Sequence, residues 1–464
     1  MNVRDESRKD SGFILAVDFG STFTKVVAIS TEKPEILGTA KSPTTIGTDI
    51  RGGLNNAVKE LTAQTGKLTF THKLAASSAY GGLKMVAVGL VPSLTAKAAN
   101  LAACSAGAKV VKTFSYELNA SEQEEIHGIQ PDLILLSGGT DGGNKDVILH
   151  NAKKLAEIES DFAVIIAGNK SAAEDAREVL TRSGKHAVIC GNVMPVFNTL
   201  DTLPARDAIN ALFLEKIIKA KGLAQAAREM TMPIIPTPLA VFECMQLLSE
   251  NLGDILAVDV GGATTDVYSM CRGAPTLPGV TQKGLPEPFA KRTVEGDLGM
   301  RHSQETLIDK ITSSQFETKL PDIESYRTAC RSDYAYIPPA GSPHAHFDQM
   351  LAGTAVDIAT TRHAGYLETA YTPFGESFYQ MGKDLTAVKY VVGIGGPIIY
   401  TDDPASILQN AATPTRHATT PTRDNVLKPA SPKFIWDKKY IFSAMGLLAR
   451  VDKQLALRIL ESEL

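Results

Sequence analysis

Two stretches decide the fold: ILAVDFGSTFTKV at residues 14–26 and ILAVDVGGATTDV at residues 255–267, which agree at eight of thirteen aligned positions. Each runs as an apolar strand to an aspartate (Asp18, Asp259), turns through glycine (Gly20; Gly261 and Gly262) and resumes with Thr and Val. β-Branched residues are stiff about χ1 and favour extended backbone. Both turns are therefore expected to join strand to strand. A dinucleotide-binding turn needs Gly-x-Gly-x-x-Gly opening a helix, and neither copy has that spacing.

A strand-to-strand turn of small residues suits phosphate, because consecutive backbone N–H groups form an anion-binding concavity and glycine permits close approach. The candidate ligands are Gly20, Ser21, Thr22, Thr24 and Lys25 in the first copy, and Gly261, Gly262, Ala263, Thr264 and Thr265 in the second. Asp18 and Asp259 are candidates to hold Mg²⁺ through its waters, since this ion dehydrates reluctantly and takes few carboxylates beside phosphate oxygens. Asp266 stands where the first copy has Lys25, and reads equally as a catalytic carboxylate or as a cap of the hairpin. An isolated Asp-x-Gly is an ordinary β-turn. Its recurrence after an identical ILAV carries the phosphate reading.

Outward from the hairpins, each copy precedes an apolar strand that runs into Gly-Gly: LILLSGG (133–139) in the first half and KYVVGIGG (389–396) in the second. This suggests a duplicated domain. Residues 133–192 alternate strand, helix, strand, helix, strand, with helical apolar spacing of three and four, which predicts parallel α/β architecture. Helices are expected over 205–230, over PTPLAVFECMQLLSE (236–250) with both prolines in its first turn, near 300–313 and 346–363, and as one closing helix from Phe442. The Thr/Pro-rich stretch 412–432 reads as an exposed loop. The expected division is a tail at 1–11, a first domain over 12–250 and a second over 251–464.

The chain of 464 residues is 44% apolar and 21% charged, with a net charge of −4, enough for two substantial cores. There is no basic surplus to advertise nucleic acid or anionic membrane. No apolar run approaches the roughly 20 residues of a membrane span, and the charged N-terminus does not read as a secretory signal. Five dispersed cysteines without Cys-x-x-Cys argue against disulfide, zinc or cluster frameworks. A cytoplasmic location is expected. The segment GGTDGGNKD (138–146) departs from a P-loop, because Asn144 separates the last glycine from Lys145 and Asp146 replaces the magnesium-binding Ser or Thr. His344-x-His346 lies among prolines without an acidic or cysteine set, and reads as a solvated loop.

Together, the hairpins resemble the phosphate-1 and phosphate-2 motifs of the actin, sugar-kinase and Hsp70-chaperone ATPase superfamily, and VVGIGGP (391–397) resembles its adenosine motif. That resemblance implies duplicated ribonuclease-H-like α/β domains facing across a nucleotide cleft, with MgATP as ligand and adenine near Gly393, Gly395, Gly396 and Pro397. RTVEGDLGMR (292–301) sits where the superfamily has a nucleotide-side turn, placing Gly296 beside ribose or phosphate; Asp297 there also reads as a helix cap. SGGTDGGN, PEPFAKRTVEGDLGMR and KFIWDKKYIFSAMGLLA together are similar to the methylaspartate (glutamate) mutase accessory protein family. The resemblance implies an ATP-dependent helper of an adenosylcobalamin-dependent mutase, with the mutase subunits as partners. A small-molecule kinase and an actin-like assembly ATPase are the alternatives on this scaffold. One position departs from the superfamily: an acidic residue before the connecting-helix proline is replaced by Thr237. A threonine is a poor general base, so a slow or partner-stimulated ATPase is expected.

Overall fold

The computed structural model describes residues 12–45, 48–78, 83–217, 222–313, 323–373, 375–413 and 426–464. The chain forms two compact units that interleave along the sequence. One comprises Met1–Gly81, Leu214–Leu248 and Lys438–Leu464, the other Gly82–Phe213 and Ser249–Asp437.

The first unit is built on β1 (Phe13–Phe19), β2 (Phe23–Ser30), β3 (Glu35–Pro43), β4 (Phe70–Ser77) and β10 (Ile235–Pro236). Their order is β10-β4-β1-β2-β3. β1, β2 and β3 form an antiparallel meander, and β4 and β10 run parallel to β1 and β4 respectively. β1 lies centrally, and its run of ILAVDF is buried throughout, as a strand covered on both faces requires. One side packs on the helix Ile50–Thr65, whose buried residues Ile50, Leu54, Ala57 and Leu61 repeat at helical spacing. The helix Phe442–Ala449 packs against β1 and β4. Gly446 in that helix meets Ala240 of the helix Thr237–Leu252 so closely that a Cβ would overlap the Ala240 carbonyl.

Two expectations change here. Pro236 ends β10, leaving only Pro238 in the first turn of the connecting helix. The closing helix is two, Phe442–Ala449 and Lys453–Glu463, because the Asp452 carboxylate accepts the Leu455 N–H and starts a new helix.

The second unit repeats the connectivity. β11 (Ile255–Val260), β12 (Thr265–Met270), β14 (Ala290–Glu295), β17 (Tyr390–Ile394) and β18 (Lys433–Trp436) lie in the order β14-β12-β11-β17-β18. The first three pair antiparallel, and β17 and β18 are parallel to β11 and β17. Both sheets therefore have the 3-2-1-4-5 order of a ribonuclease-H-like domain. The core beside the second holds Leu256, Val258, Val267, Leu351, Val356 and Val391.

The alternating region forms its own parallel sheet, β6-β5-β7-β8-β9, from β5 (Lys84–Gly89), β6 (Lys109–Ser115), β7 (Leu133–Leu136), β8 (Ala163–Ile166) and β9 (His186–Ile189). This is a doubly wound order. LILLSGG thus supplies β7 of this sheet, and the counterpart of β17 in the first ribonuclease-H-like sheet is β4, which ends at Ser77, four residues before Gly81-Gly82 in the sequence. The expected Gly-Gly correspondence between halves is corrected accordingly.

A small sheet is formed by β13 (Val280–Lys283), β16 (Gly375–Met381) and β15 (Tyr366–Thr372), in the order β13-β16-β15. The helical pattern at 205–230 divides into Leu203–Ile217 and Leu223–Glu229. Within the Thr/Pro-rich stretch, residues 414–425 lie outside the described residues.

Candidate functional site

In the first unit, the antiparallel register sets Asp18 opposite Lys25 and Phe19 opposite Thr24. Directly opposed side chains share a face, and the Lys25 ammonium meets the Asp18 carboxylate at 3.3 Å. The turn closes when the Gly20 N–H donates to the Phe23 carbonyl at 3.1 Å. A Cβ on Gly20 would lie 2.6 Å from that carbonyl oxygen, so the turn admits only glycine. Asp18 is buried, and its other oxygen accepts from the Thr237 hydroxyl at 2.6 Å. Thr237 thus acts as a donor to Asp18, an arrangement the superfamily's acidic residue could not make without a proton.

Thr24, expected among the phosphate ligands, is fully buried, and its hydroxyl meets that of Thr44 at 3.1 Å. Thr44 in turn donates to the Gly20 carbonyl at 2.9 Å. Thr24 therefore braces the turn from behind. Ser21 and Thr22 are half-buried at its tip.

In the second unit, Asp259 lies opposite Asp266, and the Gly261 N–H donates to the Thr264 carbonyl at 2.9 Å. The turn is backed by residues 300–302, whose N–H groups donate to the Gly261 and Gly262 carbonyls. Gly261, Gly262, Ala263 and Thr264 are half-buried, whereas Thr265 is fully buried and donates to the Leu298 carbonyl at 2.7 Å. Thr265 matches Thr24 in position and in its bracing role. Asp266 is turned into the protein. Its carboxylate meets Arg292 at 3.2 Å, with Arg292 also donating to the carbonyls of Cys104 and Ala108. Burial pushes the Asp266 carboxyl upward, and the Arg292 guanidinium opposes that shift. Any catalytic role for Asp266 would have to release Arg292.

The adenosine-motif glycines divide by what surrounds them. Gly395 has φ +99, and a Cβ there would lie 2.2 Å from the Val260 carbonyl oxygen and 2.9 Å from Asp259 Oδ1, which brings this turn beside the second hairpin. Gly393 packs on Ile398 and Leu408 inside the core. Its role is close packing. Gly396 and Pro397 open the short helix Gly396–Ile399. Gly296 is covered by Lys109, whose Cε would stand 2.5 Å from a Cβ. Asp297 receives both terminal nitrogens of Arg362 at 2.8 and 3.0 Å, and the helix begins only at Gln304.

In the 138–146 loop, Asn169 donates to the carbonyls of Gly143 and Asn144, while Asn192 donates to Gly139 O and Asp141. His344 and His346 lie in the first turn of the helix Pro343–His363 rather than in the expected loop, His344 hydrogen-bonds Ser325 and Tyr336, and no metal-binding group of three or more His, Cys, Asp or Glu occurs among the described residues. None of the five cysteines forms a disulfide. Among the described residues no helix is long and apolar enough to cross a membrane.

A buried polar cluster also lies in this unit. Glu287 bridges Lys97 and Lys291, each at 2.6 Å, and His363 joins Thr293 and Ser269, each at 2.8 Å. Lys383 donates to the Phe289 carbonyl at 2.7 Å, and burial lowers its ammonium to about 8.

Sequence reasoning missed Tyr440, Thr44 and Arg292. Tyr440 lies over Lys25, with the ammonium 3.5 Å from the ring centroid. No local pattern announces contacts made from so far along the chain.

Two sheets of 3-2-1-4-5 order, each with a first strand that carries an aspartate one residue before its end and leads into a glycine turn, define a duplicated ribonuclease-H-like protein of the actin-like ATPase fold. The family described as MutL protein matches residues 14–464, and this chain belongs to it. It is 44% identical over 461 residues to "Protein MutL" of Clostridium tetanomorphum, covering 97% of this chain and 98% of that protein.

Likenesses to solved structures are weak. Component A of the (R)-2-hydroxyglutaryl-CoA dehydratase of Acidaminococcus fermentans is 9% identical, with 96% of this chain and 99% of that chain covered and a TM-score of 0.30. Ethanolamine utilization protein EutJ of Carboxydothermus hydrogenoformans is 10% identical, with 95% and 91% covered and a TM-score of 0.28. The fold assignment rests on the sheet order itself.

Proposed function

We propose that this chain binds MgATP through its two hairpins and serves as an accessory, reactivating protein for an adenosylcobalamin-dependent mutase of the glutamate/methylaspartate type. The observation that carries the nucleotide reading is the repeated turn: Gly20 and Gly261 each close it with one backbone hydrogen bond, two residues after the aspartate of the preceding strand. The donor chemistry fits phosphate. Backbone amides and the hydroxyls of Ser21, Thr22 and Thr264 line the turns, and Lys25 adds a cation. Asp18 and Asp259 fit Mg²⁺ held through water. Gly395 beside Asp259 fits a nucleoside on the second turn.

Membership of the MutL family, with the resemblance of the closing segment to mutase accessory proteins, supports the mutase system as the place of action. Binding one nucleotide at both hairpins favours a closed arrangement of the halves, and loss of the γ-phosphate removes contacts that favour it. That difference is the work such a protein delivers to its partner. The Thr237 hydroxyl bound to Asp18 is no general base, which suits slow hydrolysis awaiting stimulation.

Calorimetric titration with ATP tests the site in the presence and absence of Mg²⁺. Asp18→Ala and Asp259→Ala are each expected to weaken MgATP at least tenfold. Unchanged affinity in both variants overturns the assignment.

A further inference from the structure

Lys25 touches both Asp18 and Tyr440. Its ammonium is 3.3 Å from the Asp18 carboxylate and 3.5 Å from the centroid of the Tyr440 ring. A Cβ on Gly20 would lie 3.9 Å from the same nitrogen, so this cation is stationed at the phosphate turn. Tyr440 reaches it from the segment between β18 and the helix Phe442–Ala449, with backbone φ +60. The left-handed region is uncommon for a bulky non-glycine residue, and such outliers persist where the surrounding structure holds them. Here the held feature is an aromatic face laid on a lysine.

We propose that Tyr440 is a positioning residue that fixes the Lys25 ammonium beside the Gly20 turn for a nucleotide phosphate. This rests on the nucleotide reading of the first hairpin. A lysine side chain has four flexible bonds, and confining it before the ligand arrives lowers the ordering cost of binding. Asp18 alone would draw the ammonium down toward the sheet. The ring supplies a second attraction that adds no negative charge of its own, because the cation sees the aromatic quadrupole rather than an anion. A phosphate then meets a cation already in place.

Full-length protein is titrated with MgATP as the natural sequence, as Tyr440→Phe, as the ringless variants Tyr440→Leu and Tyr440→Met, and as each ringless change combined with Lys25→Met. The ringless variants should bind about tenfold more weakly, from the size of a partly desolvated cation–π contact. Tyr440→Phe, which keeps the ring, should stay within about twofold. In the Lys25→Met background the ringless changes should cost nothing further, whereas a merely structural role for Tyr440 gives the same loss in both backgrounds. Unchanged affinity in the ringless variants, equal losses in both backgrounds, or a loss in Tyr440→Phe as large as in Tyr440→Leu overturns the proposal.

If Lys25→Met alone binds MgATP as tightly as the natural sequence, it is the nucleotide reading of this hairpin that fails. The hold of the ring on Lys25 is then judged in nucleotide-free protein by the acylation rate of Lys25 with an N-hydroxysuccinimide ester, read by peptide mass spectrometry. Faster acylation in the ringless variants supports that hold. An unchanged rate overturns it.

Discussion

Replacing Asp266 by Asn separates a buried counter-ion from a catalytic carboxylate. Arg292 is 3% exposed, and its only ion-pair partner recorded among the described residues is Asp266 at 3.2 Å. At an effective dielectric of about 20, that separation corresponds to roughly 5 kcal/mol of attraction. The Cys104 and Ala108 carbonyls stay in place to solvate the guanidinium, so the net loss should fall near the low end of the ~3–5 kcal/mol typical of breaking a buried pair. About 3 kcal/mol, with a urea slope of about 3 kcal/mol/M, moves the unfolding midpoint by about 1 M. Trp436 is the single tryptophan and lies on β18 of the same sheet, so its fluorescence follows the affected unit directly. The double variant Asp266→Asn/Arg292→Met should recover part of the loss, since it removes the stranded charge. An unchanged midpoint accompanied by loss of ATP hydrolysis would refute the counter-ion argument and make Asp266 part of the chemistry.

Other perturbations follow the same logic. Thr237→Val removes the hydroxyl that donates to Asp18 at 2.6 Å. A hydrogen bond to a charged group contributes about 1.5–3 kcal/mol, so urea unfolding of the variant should show a loss of about 2 kcal/mol, with Thr237→Ser close to the natural protein. The buried cluster predicts a pH dependence with a defined sign. Burial, reinforced by Lys291 and Lys383, holds His363 well below its usual range, so below about pH 6.5 the unfolded chain takes up a proton that the folded chain refuses, and stability falls with pH. Lys383 is lowered from 10.5 to about 8, so stability should also rise between about pH 8 and 10. Thermal unfolding across pH should show both slopes, with Lys383→Met flattening the alkaline one and His363→Gln the acid one.

The hairpins were legible because each is local: one glycine turn between apolar strands fixes the register, and the register alone sets Asp18 against Lys25 and Asp259 against Asp266. The parallel sheet at 84–189 was legible for the same reason, since strand and helix periods alternate within a few residues. Which sheet a strand joins is a long-range matter. LILLSGG and KYVVGIGG look alike because both are buried parallel strands, yet β7 and β17 belong to sheets of different order. The break between the last two helices hangs on one side-chain cap at Asp452, within a pattern whose apolar spacing runs on unbroken.

Site residues divided in the same way. Types and spacing identified the turns, but not which hydroxyls face inward. Thr24 and Thr265 are buried braces, whereas Ser21, Thr22 and Thr264 are half-buried. The residues that hold the acidic and basic groups in place, Thr237 for Asp18, Arg292 for Asp266 and Tyr440 for Lys25, become visible only when distant segments are brought together.

The central claim is tested most directly on a purified adenosylcobalamin-dependent glutamate mutase that has been inactivated on its cofactor. Mutase activity is measured after incubation with fresh adenosylcobalamin, MgATP and this protein, alongside release of inorganic phosphate. The account predicts that activity returns only when protein and MgATP are both present, and that the inactivated mutase raises the rate of ATP hydrolysis. No recovery of activity and no stimulation of hydrolysis by the mutase would contradict it.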